Sequence, residues 1–273
     1  MTFQLLKVGS DTEFFLTDRK TGEPVTAIGR FGGTKQRPRP VLDIEGFCIQ
    51  EDNVMPEVNI PPASSAKEFY LNCDKILTWL REEAKKQGLN VEVCASMKFT
   101  PDKLDHPQAK NIGCERDFCV WTRTPNEFDQ TKRAVLEYLR TAGGHLHISF
   151  QNSRRKITEQ DQELLVMLCD LLLGVPSIVL DGDQERRKLY GRAGSFRFKP
   201  YGIEYRVLSN FWFKNPYLSS WTFNQVVTAV SWMNDKPRIR SLFDHAEEIQ
   251  TAINTQDVDL SYLILQGWGL NLP

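Results

Sequence analysis

The sequence has almost no surplus of charge, since 34 Lys and Arg residues stand against 35 Asp and Glu residues. A protein that binds nucleic acid over a broad surface is usually basic, so a net charge of -1 argues against that class. A local basic patch is still compatible with this balance. Histidine is also scarce: the 273 residues contain four, and two of them, His145 and His147, lie in one short segment.

Cysteine is present six times but never as a C-x-x-C pair, which argues against a zinc knuckle and a thioredoxin-like site. The first ten residues lack the apolar core and small-residue cleavage site of a signal peptide. Runs of 18 consecutive apolar residues are absent, so we expect no membrane span. Together these absences favour a cytoplasmic protein with reduced thiols.

Two common nucleotide-binding signatures are missing as well. Neither G-x-x-x-x-G-K-[ST] nor G-x-G-x-x-G occurs, so P-loop and Rossmann sites are disfavoured. A loop rich in glycine and basic residues covers positions 29–40 instead. Gly32 and Gly33 would allow phosphate to approach the backbone closely, and Lys35 would be able to reach it.

The remaining composition, 41% hydrophobic and 25% charged, is typical of a folded domain. Strand-like patterns alternate with helical ones, and the last sixty residues read as mostly helical. We interpret the chain as one α+β domain with an antiparallel sheet and helices on one side. The main predicted elements are a strand at 41–49, a helix from Ser64 or Ser65 to Gln87, a loop at 181–200, and strands at 145–150 and 203–208.

The strongest pattern is an i, i+2 pair of chemically active residues in each of four strand-like segments. These pairs are Asp11 and Glu13, Glu57 and Asn59, His145 and His147, and Glu204 and Arg206. Residues two apart in a strand share one face, and the residues between them are mostly apolar. Any single pair would suit a half-solvated strand. Four together predict a site, because clustered carboxylates repel each other and need a cation.

The ligand types favour magnesium or manganese over zinc, because carboxylates dominate and magnesium sites usually bridge to phosphate. A second group supports phosphate binding: Arg192, Arg197, Lys199 and Arg206 lie within fifteen residues. The planar arginine fork suits phosphate oxygens. A solvated basic loop is the alternative interpretation of this segment.

These motifs resemble the carboxylate–amine ligases of the glutamine synthetase and glutamate–cysteine ligase superfamily, and more closely the phage-type COOH–NH2 ligases, or amidoligases. The resemblance covers residues 9 to about 212. The motifs that carry it are Asp11-x-Glu13, Pro56-Glu57-Val58-Asn59, Gly144-His145-Leu146-His147, Arg192-x-x-Ser195-x-Arg197 and Glu204-x-Arg206, together with the segments at 32–35, 59–63 and 113–118.

The resemblance implies an antiparallel β-sheet funnel of the glutamine synthetase catalytic type, with helices on its outer face. It implies a single catalytic domain over residues 1–273 whose part from about 215 is helical. It also implies an ATP-dependent ligase that joins a carboxylate to an amine through an acyl phosphate and needs two or more Mg²⁺ or Mn²⁺ ions. If the chain is phage-encoded, the expected location is the host-cell cytoplasm.

The same resemblance implies roles for individual residues. The implied metal ligands are Asp11, Glu13, Glu57, His145 and Glu204. The implied catalytic residues are Glu57, Arg192, Arg197 and Arg206. The implied ATP contacts are Lys35, Arg192, Ser195, Arg197 and Lys199. The substrate candidates are Asn59, Glu115, Asp117 and His147.

The expected partners are a carboxylate-bearing and an amine-bearing substrate, with no membrane and with nucleic acid only as a substrate. Three alternatives stay open. One is a phosphotransferase on the same fold, which would release a phosphorylated product. The others are a non-catalytic binding protein and a zinc hydrolase that uses His145 and His147.

Overall fold

The computed structural model describes residues 2–111, 117–126 and 130–273, with the backbone alone for residues 130–133. Its strands, in chain order, are β1 (Phe3–Glu13), β2 (Phe15–Asp18), β3 (Pro24–Val25), β4 (Arg39–Pro40), β5 (Cys48–Asp52), β6 (Met55–Ala63), β7 (Leu89–Glu92), β8 (Ser96–Lys98), β9 (Phe118–Cys119), β10 (Thr124–Pro125), β11 (Leu139–Thr141), β12 (Gly144–Asn152), β13 (Ser195–Lys199) and β14 (Gly202–Tyr205).

The helices, in chain order, are α1 (Ala66–Lys86), α2 (Pro107–Lys110), α3 (Glu159–Cys169), α4 (Val175–Asp181), α5 (Pro216–Trp232), α6 (Lys236–Asp244), α7 (Ala246–Thr255) and α8 (Val258–Gly267). A π-helical segment, Asp170–Gly174, joins α3 to α4. The helical C-terminal part that the sequence predicts from about 215 is therefore present as α5 to α8.

The largest sheet contains nine strands in the order β10-β9-β13-β14-β12-β1-β6-β5-β4, and its neighbouring strands pair antiparallel. Helices α1, α3 and α5 pack on one face of it. The apolar members of the central strands, such as Val58, Leu146 and Ile203, are fully buried on that face. The predicted α+β class, with an antiparallel sheet and helices on one side, is confirmed.

Pairing register brings the four predicted i, i+2 pairs onto the opposite face. Asp11 pairs with His145 on β12 and with Asn59 on β6. Glu13 pairs with Glu57, and His147 pairs with Glu204. Since directly paired residues of antiparallel strands project to the same side, these side chains form one continuous polar surface.

Helix α1 shows how closely local signals set an element. Ser65 accepts a hydrogen bond from the N–H of Glu68 and so caps the first turn. Gly88, with φ of 74°, follows the helix and allows the chain to turn away. The buried side chains recur at helical spacing along one face, namely Phe69, Cys73, Ile76, Leu77, Leu80 and Ala84.

The segment Glu159–Asp181 is long and apolar enough to cross a membrane by length and composition alone. Most of it is buried among the other elements, however, as in the core helix of a folded protein. Its start is fixed by a capping box, in which Thr158 and Asp161 each bond to the backbone of the other. Cys48, Cys73, Cys94, Cys119 and Cys169 are free thiols.

Two element predictions are wrong in part. Residues 41–47 do not continue a strand, because Leu42 and Asp43 adopt left-handed φ angles of 63° and 48° and turn the chain before β5. The segment 181–200 is not entirely loop, because its last residues pair with β14 and form β13. Arg197 and Lys199 therefore lie on a rigid strand beside Glu204.

Candidate functional site

Asp11 lies at the centre of the polar surface, between both histidines of β12. Its Oδ1 lies 3.1 Å from Nδ1 of His145, and its Oδ2 lies 3.3 Å from Nε2 of His147. Burial acts to raise the pKa of Asp11, but the charges and hydrogen bonds of the two histidines outweigh it and hold that pKa well below the usual range. Asp11 is therefore ionised and available as a ligand.

Glu204 is only 1% exposed and is surrounded by cationic side chains. Nη1 of Arg197 lies 3.1 Å from its Oε1, and Nζ of Lys199 lies 2.7 Å from its Oε2. Arg206, two residues away on the chain, also donates to Oε1. Burial and the charge of Asp11 raise the pKa of Glu204, but Arg206, His145 and Arg197 lower it to about 2.

Arg206 joins this group to its surroundings. Its Nε lies 3.3 Å from Oδ2 of Asp117, and its Nη1 lies 3.3 Å from Nδ1 of His145. Burial and the Arg206 charge lower the pKa of His145. Two of the predicted substrate and metal residues, Asp117 and His145, therefore contact the same guanidinium.

A second acidic group lies on the β5–β6 side. Oxygen atoms of Glu13, Asp52 and Glu57 lie within 4.8 Å of one another. Burial, together with the charge of Asp52, raises the pKa of Glu13 to about 8. Burial and the charges of Asp11, Glu13 and Asp52 raise the pKa of Glu57 well above its usual range. The mutual repulsion of these carboxylates is what a bound divalent cation would relieve.

Glu57 has a buried carboxylate oxygen without a hydrogen-bond partner in the described part of the chain. Its side chain is 4% exposed, and its Oε2 finds no hydrogen-bond partner among the described residues. The same holds for Oδ1 of Asn59, which pairs with Asp11 across the strands. Buried oxygen atoms seldom lack a partner, and both of these would suit a cation or a bound polar group.

An open cleft of about 720 Å³, part of it open to solvent, lies against the second acidic group. Among its lining residues are Glu13, Asp52, Asp117, His145 and Arg206. The N–H of Gly143 donates to Oε2 of Glu13 at 2.5 Å, so the turn before β12 positions this carboxyl. The lining of the cleft thus includes two carboxylates of the second acidic group and the guanidinium of Arg206.

The backbone of the glycine-rich loop at 29–40 is hydrogen-bonded to the carboxylate of Glu51. Glu51 accepts hydrogen bonds from the N–H groups of Gly29, Phe31 and Gly32 at 2.7 to 2.8 Å. These amides are therefore directed at Glu51 instead of outward. Lys35 lies beyond them, with its Nζ 3.7 Å from Oδ2 of Asp52, and so reaches the edge of the acidic group.

Two predicted residues, Arg192 and Ser195, are not among the described side chains that contact the carboxylates of the two groups, and a third is not described by the structure. Arg192 is exposed and lines a separate surface pocket with Lys188, Asn254 and Gln256. Ser195 is buried on β13, where its Oγ lies 3.2 Å from Nδ2 of Asn126. Glu115 lies outside the described residues. The roles implied for all three stay predictions.

The structure adds two residues that the sequence analysis missed. Asp52 completes the second acidic group; the alternation of Gln50 and Asp52 on β5 was the available signal, but the strand was placed too early. Tyr201, in the turn between β13 and β14, has its hydroxyl 2.5 Å from Nδ1 of His147. No local pattern marks Tyr201, because this contact depends on the register of β12 against β14.

Two sets of side chains therefore offer the donors that divalent cations use. Ligand atoms of Asp11, His147 and Glu204 lie within 4.8 Å of one another, as do those of Glu13, Asp52 and Glu57. Five carboxylates and one imidazole fit magnesium or manganese better than a structural zinc site. His147 belongs to the first set, and the predicted ligand His145 also lies close to it, with its Nδ1 3.1 Å from Oδ1 of Asp11 and 3.9 Å from Oε1 of Glu204. The metal-ligand role implied for His145 stays a prediction.

Comparison with known proteins agrees with the motifs. Residues 135–265, just under half of the chain, match the family model described as "Phage phiEco32-like COOH.NH2 ligase-type 2". This confirms the resemblance to the phage-type COOH–NH2 ligases. The match spans the strands of His145 and Glu204 and continues through the C-terminal helices, whereas the Asp11 and Glu57 motifs precede it.

A search of curated proteins gives no match. Among solved structures, one described as "Crystal structure of novel glutamine synthase homolog" is 14% identical with a TM-score of 0.41, covering 97% of this chain and 66% of that chain. Another, "Apo GmaS without ligand", is 13% identical with a TM-score of 0.40, covering 99% and 70%. This chain spans about two thirds of their length.

Proposed function

We propose that this chain is an ATP-dependent carboxylate–amine ligase that forms an amide bond through an acyl phosphate and releases ADP and phosphate. The observation that carries the proposal is the convergence of two metal-ligating groups and three basic side chains on one face of the sheet. Those basic side chains are Arg197, Lys199 and Arg206. The match to a COOH–NH2 ligase family supports the same reaction class.

Asp11, His147 and Glu204 would hold one cation, and Glu13, Asp52 and Glu57 the other. Bound there, Mg²⁺ or Mn²⁺ would neutralise the charge of the ATP phosphates and help to orient them. The unpartnered Oε2 of Glu57 supports this fit for the second group. In the first group, Nζ of Lys199 forms an ion pair with Oε2 of Glu204. A cation would therefore compete with Lys199 for this carboxylate.

The proposed reaction has two steps. A carboxylate oxygen of the first substrate attacks the γ-phosphorus of ATP, the bond from that phosphorus to the bridging oxygen breaks, and ADP leaves. The amine nitrogen of the second substrate then attacks the carbonyl carbon of the acyl phosphate. The carbon–oxygen bond to phosphate breaks, phosphate leaves, and the nitrogen gives its proton to solvent.

The chain's own residues contribute mainly position and charge in such a reaction. Arg197 on β13 and Arg206, directly after β14, carry fixed positive charge and would stabilise negative charge on the transferred phosphoryl group. Lys35, at the outer edge of the acidic group, would contact an ATP phosphate. Asp117 holds Arg206 through Nε and so fixes the direction of its guanidinium.

The test is a screen for ADP release in which purified protein, ATP and Mg²⁺ are combined with panels of carboxylates and amines. A ligase requires both substrates and produces ADP and phosphate in equal amounts, and mass spectrometry of the product identifies the amide. The acyl phosphate is then tested with the carboxylate substrate labelled with ¹⁸O. One labelled oxygen should appear in the released phosphate.

Other results would replace the proposal. A phosphorylated product formed without any amine would indicate the phosphotransferase. The absence of ATP binding in Mg²⁺ or Mn²⁺ buffer, measured by calorimetry, would contradict both enzymes and favour a non-catalytic binding protein.

A further inference from the structure

Tyr201 contacts His147, one of the proposed cation ligands, through its hydroxyl. Its hydroxyl lies 2.5 Å from Nδ1 of His147, and the other ring nitrogen, Nε2, lies 3.3 Å from Oδ2 of Asp11. His147 is therefore held at both nitrogens. Its rings and those of Tyr201 lie 6.1 Å apart with an angle of 42°, so the contact is made by the hydroxyl and not by stacking.

The position of Tyr201 suits this contact for a local reason. The residue lies in the turn between β13 and β14, next to Gly202, whose φ is 152°. A Cβ at position 202 would approach the carbonyl oxygen of Ile148 to 2.0 Å. The turn is thus packed tightly against β12, and Tyr201 is delivered to His147 even though its side chain is 45% exposed.

A tyrosine hydroxyl both donates and accepts hydrogen bonds, and this property matters for His147. With Nε2 donating to Asp11, Nδ1 carries no proton in the neutral ring and accepts from the hydroxyl. When Nε2 turns its lone pair to a cation, Nδ1 must carry the proton and donate it to a hydrogen-bond acceptor. The hydroxyl of Tyr201 can serve in both arrangements, whereas a fixed donor such as lysine can serve only in the first.

We propose that Tyr201 is a positioning residue that holds the His147 ring through Nδ1 so that Nε2 faces the cation site formed with Asp11 and Glu204. The inference rests on the proposed function, because it requires that this group bind a divalent cation. Partners of this kind hold the orientation and tautomer of a histidine ligand, and their loss typically weakens metal affinity by about 10- to 100-fold.

The test measures Mn²⁺ binding to the nucleotide-free protein by electron paramagnetic resonance, which counts free Mn²⁺ and needs no turnover. Tyr201→Phe should weaken one of the two binding steps by about 10-fold or more and leave the other unchanged. Tyr217→Phe is the matched control, because Tyr217 is 83% exposed at the start of α5 and outside the site. Thermal unfolding of both variants should follow the wild type.

A double-variant cycle separates positioning from a general structural effect. His147→Ala should weaken the same binding step, and adding Tyr201→Phe to it should cause no further loss, because the hydroxyl would then have no ring to hold. An equal further loss in that background would overturn the inference.

The failure of the inference and that of the proposed function give different results. Wild-type Mn²⁺ affinity in Tyr201→Phe together with weakened binding in His147→Ala would overturn the role of Tyr201 and leave the cation site in place. Unchanged binding in both variants would overturn the His147 ligand assignment as well.

A spectroscopic measurement gives a second readout. The chain has four histidines, so ¹⁵N-histidine spectra are simple and His147 is assigned by its disappearance in His147→Ala. With Mg²⁺ bound, the wild type should show the proton on Nδ1 of His147. Tyr201→Phe should show both tautomers, and an unchanged single tautomer would contradict the inference.

Discussion

Asp11 and His145 face each other across β1 and β12, with 3.1 Å between Oδ1 and Nδ1. This pair ties the two central strands of the sheet together at the level of the site, and the second oxygen of Asp11 remains directed at His147. One carboxylate thus links an imidazole that contacts Arg206 with an imidazole that faces the proposed cation site.

Glu204 should be essential for turnover but not for folding. Glu204→Gln removes the negative charge that Arg197, Lys199 and Arg206 share, and with it one proposed cation ligand. We expect a loss of about 10²- to 10³-fold in kcat, the range found for the loss of one transition-state contact. The measurement is ADP release under saturating substrates.

Glu185→Gln is the control for this substitution. Glu185 also pairs with a lysine, Lys188 at 2.5 Å, but on the exposed surface. The Glu185→Gln variant should keep wild-type turnover. Equal activity of the two variants would remove Glu204 from the site.

The R-x-x-S-x-R motif predicts that Arg192 and Arg197 both contact ATP. Their positions in the structure lead us to expect that only Arg197 matters strongly for kcat/KM. Arg197 contacts Glu204 on the neighbouring strand, whereas Arg192 is exposed in another pocket. Arg197→Ala should lower kcat/KM for ATP by about 100-fold, an effect comparable to the loss of one charge contact. Arg192→Ala should stay within about threefold of wild type, because surface charges contribute little. Similar large losses would show that Arg192 reaches the nucleotide in the bound state.

Glu57 should determine whether divalent cations stabilise the protein. Burial and the neighbouring carboxylates raise its pKa well above the usual range, which favours the uncharged carboxyl in the cation-free protein, and the amide of Glu57→Gln has nearly the same shape as that uncharged carboxyl. We expect the variant to unfold at the wild-type temperature or above it without cations. Mg²⁺ should stabilise the wild type, by about 2.7 kcal/mol at 100 times its Kd, and should stabilise the variant much less.

Thermal unfolding with and without Mg²⁺ measures this effect. Glu92→Gln is the matched control: Glu92 accepts from Oγ1 of Thr17 in a separate three-stranded sheet of β3, β2 and β7 and belongs to neither acidic group. An equal Mg²⁺ response in all three proteins would place the cation elsewhere.

Much of the site could be predicted because strand alternation is a local property. Residues two apart project to one face whatever the order of strands, so the pair Asp11 and Glu13 and the pair His145 and His147 were correctly placed on shared faces. The boundaries of α1 likewise follow from Ser65 and Gly88, which act within one turn of the helix.

The rest depends on contacts that no local pattern encodes. Asp52 was missed because the left-handed turn at Leu42 and Asp43 delays β5, and left-handed φ is unusual for these residues. Tyr201 was missed because its contact with His147 spans 54 residues and requires the pairing of β12 with β14. Arg192 and Arg197 could not be separated until β13 was known to begin at Ser195.

Asp170, which does not line the cleft, should make the free energy of unfolding depend on pH. It is buried in the π-helical segment, where Nε1 of Trp121 donates to its Oδ2 at 2.6 Å and the hydroxyl of Tyr205 to its Oδ1 at 2.8 Å. Burial raises the pKa of Asp170 to about 7, although the hydrogen bonds of Trp121 and Tyr205 oppose the shift. In the unfolded chain the group titrates near its ordinary value of 3.8.

The sign follows from proton linkage. Between about pH 4 and pH 7 the folded state holds this proton and the unfolded state does not, so stability is complete below pH 4 and is lost as the pH rises to 7. The full change is on the order of 4 kcal/mol. Urea unfolding from pH 5 to pH 8 measures the part of this change that falls above pH 5, as the difference between wild type and Asp170→Asn. This difference excludes Glu13, whose raised pKa acts in the same direction in both proteins.

Asp170→Asn is a sharp test because an amide suits both neighbours. Its oxygen can accept from Trp121 and its NH2 can donate to the hydroxyl oxygen of Tyr205, so each neighbour keeps one hydrogen bond to residue 170. The variant should be more stable than wild type at pH 8, and its advantage should shrink towards pH 5. Asp170→Leu should instead be less stable at every pH, by about 1–3 kcal/mol for each partner left without a hydrogen bond. Parallel pH profiles for wild type and Asp170→Asn would show that Asp170 is already ionised in the folded protein.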